Sequence, residues 1–157
     1  MVNPVEPGNP APDFSLQNQD GEIVSLADFK DKPLVVYFYP KAMTPGCTVQ
    51  ACALRDARAD YESAGVQVVG ISPDPVKRLK KFAERDQLSF TLLSDEGHAV
   101  ADAFGVWGLK KFMGREFDGI HRMTFIIDAD GQVVHTMKKV KTKTHDQDVL
   151  SWIKDNL

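Results

Sequence analysis

Long apolar runs are missing from this 157-residue chain. None approaches the ~18 residues that a bilayer-spanning helix requires, so no membrane partner is expected. No secretory leader is expected either: "MVNPVEPGNPAPDF" has neither a basic n-region nor an apolar h-region. The cytoplasm is the expected location. Strong charge of either sign is absent, with a net charge of −3 and a pI near 5.8, which argues against nucleic acid as the main partner. There is no internal repeat, low-complexity tract or interior linker, and the length fits one domain spanning 1–157. Cysteine is scarce. The chain has two, Cys47 and Cys52, both inside "PKAMTPGCTVQAC". In a reducing compartment such a pair points to catalysis, redox chemistry or metal binding rather than to a staple.

What is present reads as alternating strands and helices. Pro4, Pro7, Pro10 and Pro12 mark an extended N-terminal arm. "FSLQNQDGEIVSL" predicts a hairpin around Asp20-Gly21. "PLVVYFYP" is a continuous apolar run suited to a strand buried on both faces, ending at Pro40. A helix is expected from about Pro45 to Ala64, with Thr44 as N-cap, Pro45 first and Gly65 as stop. "VQVVGISP" predicts a second buried strand. "DPVKRLKKFAERDQ" predicts a helix capped by Asp74, with Val76, Leu79 and Phe82 on one face. "FTLLSD", "HAVADAFG", the pair "RMTFIID" and "QVVHTMKK", and "DQDVLSWIKDNL" predict a strand, a short helix, a hairpin and a closing helix. "WGLKKFMGREFDG" shows no clean period and reads as a loop. Trp107 and Phe112 in it either line an entrance to a site or simply pack the loop. The lysines of "KKVKTKTH" read as an exposed strand edge rather than an anion site, because no aromatics interleave with them. The sum is an α/β protein with a mixed central sheet, helices on both faces and an N-terminal β-hairpin extension. A thioredoxin-like layout satisfies it, as do other three-layer folds.

Cys47 falls in the first turn of a helix that follows a central strand. Free backbone N–H groups and a partial positive charge at such an end favour a thiolate over a thiol. Lowering a cysteine pKa by two or three units takes about 3–4 kcal/mol. A helix end supplies about 0.3–2 kcal/mol, so a further cation or donor is needed. Thr44, three residues earlier, is placed like the first residue of a capping box and is either a plain N-cap, a donor to the sulfur, or both. Arg122 opens an apolar strand that has no acidic residue until Asp128. A guanidinium there is costly unless something anionic meets it, and a thiolate across the sheet is one such partner. An ordinary salt-bridged surface arginine is the alternative.

With these residues in place the sequence resembles the peroxiredoxins, specifically the peroxiredoxin Q or bacterioferritin comigratory protein group. The pattern P-x-x-x-T-x-x-C is met by Pro40, Thr44 and Cys47, and Cys52 stands where that group carries a second cysteine. "LLSDEGHAVADAFGVWG", "FMGREFDGIHRMTFIIDADG" and "APDFSLQNQDG" extend the likeness over nearly the whole chain. The resemblance implies a thioredoxin-like fold and reduction of peroxides without a cofactor or metal. It assigns Cys47 as the peroxidatic cysteine, Cys52 as the resolving cysteine, Arg122 and Thr44 as peroxide-site residues, and Pro40 as a shield. It implies an external dithiol, thioredoxin, as reductant. Many relatives carry Glu where this chain has Gln50; the amide can still accept from Arg122 but removes an ion pair. A monomer is expected, since the disulfide can close within one chain.

On an ideal helix, residues five apart lie about 8–9 Å apart at Cα, and a disulfide needs roughly 4.4–6.8 Å. The first turns of the helix must therefore unwind for Cys52 to meet Cys47, and Pro45, Gly46 and Thr48 are weak helix formers suited to that. A thioredoxin-type oxidoreductase would instead carry C-x-x-C. A Cys–His hydrolase would need one of His98, His121, His135 and His145, none of which has a marked context. A metal site lacks the usual ligand pairs. A redox sensor would share the thiol chemistry and differ only in turnover.

Overall fold

The structure, a computed structural model, describes residues 2–157 apart from the side chain of Phe112. Seven strands form one sheet: β1 (Ser15–Asn18), β2 (Ile23–Ser25), β3 (Leu34–Phe38), β4 (Gln67–Ser72), β5 (Thr91–Ser94), β8 (Met123–Ile127) and β9 (Val133–Met137). Their order is β2-β1-β5-β4-β3-β8-β9. β3, β4 and β5 run parallel, while β8, β9, β1 and β2 join antiparallel, so the sheet is mixed. The N-terminal hairpin is the expected extension, joined to the main sheet through the pairing of β1 with β5.

Every residue of β3 is buried, because both faces of the sheet are covered. Val35, Tyr37 and Tyr39 face one core with Leu54 of α1 (Pro45–Asp56), Tyr61 of α2 (Arg58–Ser63), Leu79 and Phe82 of α3 (Val76–Asp86), and Val149 and Ile153 of α5 (His145–Asn156). Leu34, Val36 and Phe38 face the other with Val100 and Phe104 of α4 (Ala99–Phe104) and Val133 of β9. The alternation is the pleat of a strand whose two faces both need apolar side chains.

The N-terminal arm is not extended throughout: it turns at Pro7–Gly8, where Gly8 takes a φ of 96°, and it lies against the start of β9. Gly8 and Ala11 donate to Val133 and Gly131 carbonyls, Val133 donates to Asn9, and Thr136 Oγ1 donates to Val5 O at 2.7 Å. Further back, Val5 donates to Phe104 O. Gly105 closes α4 in the left-handed region at φ 77°, and a Cβ there would overlap the Asn3 carbonyl, so this position needs glycine twice over.

Four further expectations are corrected. The helix predicted over 45–64 is two, interrupted at Ala57, whose ψ of 8° leaves the helical well. The interruption accompanies burial of Tyr61, whose hydroxyl donates to Asp146 O at 3.0 Å. The segment read as a loop is a hairpin of its own, β6 (Trp107–Phe112) with β7 (Arg115–Ile120). Its two-residue turn is Met113-Gly114, with φ of 51° and 79°, a pattern usually announced by Asn-Gly or Asp-Gly. Most of β7 is exposed, so no core face imposed an alternating pattern. The lysine-rich segment is not a strand edge: β9 stops at Met137, and the lysines lie in the bend and turn leading to α5. Asp74 does not cap α3, whose N-cap is Pro75; its carboxylate turns inward instead.

Candidate active site

The site is built where β3 ends and α1 begins. Between them the chain makes a loop whose Ala42 is pinned from both sides. Ala42 N–H donates to Asp74 Oδ2 at 2.7 Å, and Arg78 donates to Ala42 O at 2.8 Å. Asp74 also accepts from Ser72 Oγ at 2.8 Å and pairs with Arg78 at 3.3 Å. Pro40, partly buried, stands at the start of this loop. Met43 takes a left-handed φ of 67°, a strained state for a non-glycine residue and one the pinned loop imposes.

Helix α1 starts with Pro45 in its first turn, and Thr44 is its N-cap residue. The capping-box geometry is not formed. Thr44 Oγ1 donates back to Lys41 O at 2.7 Å, and no side-chain cap bond is made. Cys47 lies in the first turn and is almost wholly buried, at 1% exposure. Both cysteines are free thiols on the same unbroken helix. Cys52 is half-buried, and burial pushes its thiol up, with Arg55 opposing and Asp86 and Asp56 adding to the rise. Such a thiol is a poor nucleophile while the helix is formed.

Arg122 precedes β8, two residues from Thr124 and four from Ile126, which lies in the same core cluster as Cys47. That parity aims all three side chains at α1. One guanidinium nitrogen of Arg122 lies 3.3 Å from Cys47 Sγ, and the other donates to Gln50 Oε1 at 2.6 Å. Gln50 is a fully buried polar residue on the core face of α1. Its amide nitrogen lies 3.1 Å from His145 Nδ1, and His145 Nε2 lies 2.7 Å from Thr124 Oγ1. All of Gln50, His145 and Thr124 are at 0% exposure. The structure therefore brings Cys47, Gln50 and Arg122 together, and adds His145 and Thr124, which the sequence did not single out. A thiol in this setting faces a fixed cation, helix N–H groups and a dry apolar wall, an arrangement suited to nucleophilic attack at sulfur.

The β6–β7 hairpin lies beside Arg122 in the chain. Its base is held by His121, which donates from its backbone to Val106 O at 2.8 Å and lies 3.0 Å through Nε2 from Leu109 O. Lys110 donates to Ile120 O at 2.7 Å; burial lowers its pKa, Arg122 pushes the same way and Cys47 opposes. Trp107 packs against the second core and stacks on His98 at 3.8 Å, which favours the packing reading of that residue. The Phe112 side chain lies outside the described residues. Among the described residues no helix is long and apolar enough to cross a membrane, and no group of His, Cys, Asp and Glu has the makings of a metal site.

The family described as AhpC/TSA matches residues 7–136. Peroxiredoxin Bcp of Escherichia coli (strain K12) is 56% identical over 155 residues, covering 99% of each chain. The chain belongs to the peroxiredoxin Q/Bcp group of the AhpC/TSA family. As a peroxiredoxin it is a peroxidase and an oxidoreductase with the thioredoxin fold, acting on a peroxide with a thiol as reductant. Among solved structures, a Cys-to-Ser mutant of Xanthomonas campestris peroxiredoxin Q superposes with a TM-score of 0.90 at 32% identity, covering 98% of this chain and 100% of that one. The X. campestris bacterioferritin comigratory protein, solved in trapped intermediate and ligand complexes that bear on its alkyl peroxide reduction, superposes at 0.87 with 32% identity and covers of 99% and 98%.

Proposed function

We propose that this peroxiredoxin reduces hydrogen peroxide and organic hydroperoxides through a Cys47 sulfenic acid and an intramolecular Cys47–Cys52 disulfide, which thioredoxin recycles. The observation that carries the reading is the Arg122 nitrogen 3.3 Å from a buried Cys47 sulfur in the first turn of a helix. The Cys47 thiolate attacks one peroxide oxygen and the O–O bond breaks. Sulfur gains the hydroxyl oxygen, and the leaving alkoxide or hydroxide takes a proton to become alcohol or water. Arg122 and the Cys47 backbone N–H stabilise the charge as it moves onto the leaving oxygen. Thr44 Oγ1 donates to Lys41 O and keeps lone pairs with which to accept the peroxide O–H. Pro40, which has no N–H to offer water, closes the strand side of the site.

The Cys52 thiolate then attacks the sulfenic sulfur, and water leaves as the disulfide forms. Both cysteines sit on one helix, about 8–9 Å apart at Cα, so the first turns of α1 must unwind. The thiol that is suppressed within the helix becomes a nucleophile once the helix opens to water. A dithiol reduces the disulfide by exchange and α1 re-forms. The steps draw only on this chain, the peroxide and the dithiol. The reading treats residues 1–157 as one domain working as a monomer in the cytoplasm. Alkyl peroxide reduction by the X. campestris relative supports the organic substrates.

The test is a thioredoxin-coupled assay comparing hydrogen peroxide with an alkyl hydroperoxide, on the native chain and Cys47→Ser. Steady turnover lost in Cys47→Ser is expected. Retained activity in that variant would sink the assignment, and oxidation without steady turnover would favour a redox sensor.

A further inference from the structure

Beyond the two cysteines, the buried chain of polar groups behind Arg122 has a feature that ordinary packing does not require. Cys47, Arg122, Gln50, His145 and Thr124 are linked in series at 3.3, 2.6, 3.1 and 2.7 Å. We infer that His145 is a positioning residue: its ring holds the Gln50 amide in the one orientation that gives Arg122 an acceptor, and so sets the guanidinium against the Cys47 sulfur. This rests on the peroxidase reading of Cys47 given above.

The direction of each bond follows from what the groups are able to do. A guanidinium only donates, so Gln50 must present its oxygen to Arg122. The amide NH2 then faces His145 Nδ1, which must accept. The ring proton is therefore on Nε2, and Nε2–H donates to Thr124 Oγ1. The Thr124 hydroxyl can accept as readily as donate, so it ends the chain without conflict. Gln50 left to itself has two orientations differing by a half-turn, and the wrong one puts two donors face to face at Arg122. Arg122 favours the first orientation, and an acceptor at the position of Nδ1 reinforces it by holding the amide NH2 on the other side. A protonated ring would present a donor there and reverse the amide. The ring is guarded against this by burial, which pushes His145 down to about 4, with Asp148 opposing and Arg122 reinforcing. The Tyr37 ring, 5.6 Å away by centroids, closes the remaining side.

The elements involved give the arrangement a purpose. Gln50 lies on α1, the helix that must unwind in the proposed cycle, whereas His145 and Thr124 lie on α5 and β8. Each time α1 re-forms, the amide must dock the right way round. His145 is the template for that docking.

The test compares His145→Leu, which offers no acceptor, with His145→Asn, whose side-chain oxygen falls near the place of Nδ1. Two readouts are taken on the reduced protein: the pH at which the Cys47 thiolate appears in the ultraviolet, and the stopped-flow rate of its first oxidation. In His145→Leu the thiolate should appear about one pH unit higher, and oxidation should slow by roughly tenfold. His145→Asn should stay within about threefold of the native rate. The inference is overturned if the two variants behave alike, whether both match the native protein or both lose equally. Should His145→Leu fail to fold, 15N NMR of the native protein decides: an Nε2–H ring supports the assignment and an Nδ1–H ring overturns it. The thiolate titration needs no peroxide, so it separates failure of this inference from failure of the peroxidase reading, which Cys47→Ser tests alone.

Discussion

Arg122 reaches Cys47 sideways: the guanidinium that stands 3.3 Å from the sulfur is moored by its other nitrogen, at 2.6 Å, to the same helix that carries the sulfur. Cation and thiol are thus held in register by α1 itself, and unwinding the helix, as the proposed cycle requires, would break both contacts together.

Removing the guanidinium should strip the thiol of its nearest cation. Arg122→Ala is expected to lower the fraction of Cys47 thiolate at neutral pH and to slow its reaction with peroxide by roughly 10²–10³-fold, the scale of a lost charge-stabilising donor. Arg122→Lys should recover little, because an ammonium cannot span sulfur and amide at once. Stopped-flow oxidation measures both; a native rate in Arg122→Ala would remove the role.

Cys52→Ser should consume one equivalent of peroxide and then stop in the thioredoxin-coupled assay. The sulfenic acid should be trappable with dimedone. Continued turnover would show that another thiol resolves Cys47.

Hydrogen exchange distinguishes the two forms of α1. In the reduced protein the amides of 48–54 are held by helix bonds, and the segment is tied further by Thr48 Oγ1 accepting from Arg85 at 2.9 Å and by the Gln50 contacts. In the disulfide form the same amides should exchange much faster. Equal protection in both forms would mean that the disulfide closes without unwinding.

Asp74→Ala removes the acceptor of the Ala42 amide and the partner of Arg78. It should cost about 1–3 kcal/mol in urea unfolding and slow Cys47 oxidation, since the loop that starts α1 is released. Asp74→Asn keeps an acceptor for Ala42 and should cost less. An Asp74→Ala variant with native stability would show that the loop holds itself.

His145 also carries a pH signature. Its pKa is lowered to about 4 in the fold by burial, with Asp148 opposing and Arg122 adding, against about 6.5 in the unfolded chain. Between those values the unfolded state binds more protons. Stability should therefore rise with pH from about 4 to 6.5 and be complete above it; acidification through that window should cost roughly 3 kcal/mol. Burial lowers His135 as well, so the comparison is with His145→Asn, whose curve should be flatter. Parallel curves would contradict a buried neutral ring.

How much of this was visible beforehand depends on the element. The buried strand, the apolar face of α3 and the arginine in an apolar segment each carry a local signal, because burial leaves composition marks. The Met113-Gly114 turn did not, since methionine is an unusual first residue for its backbone state. Asp74 looked like a helix cap because a buried anchor and a cap share the same residue type. His145 was invisible for a different reason: its partners Gln50 and Thr124 lie 95 and 21 residues away, and its neighbours in sequence are Lys, Thr and Asp. The one hint was parity. Thr124 is a polar residue two positions from Arg122 in an otherwise apolar strand, and so shares its face.

The N-terminal arm has a bearing on how such an enzyme survives its own cycle. An open sheet edge is a template for adding foreign strands. Here residues 8–11 pair with 131–133 at the start of β9, which leaves only a short stretch of that strand's outer edge, and the opposite edge, β2, is three residues long. The helix that opens lies on a face of the sheet, away from both borders. In the proposed cycle, opening α1 would therefore expose a thiol and a patch of side chains, but no long ladder of unpaired strand backbone on which a second copy could polymerise.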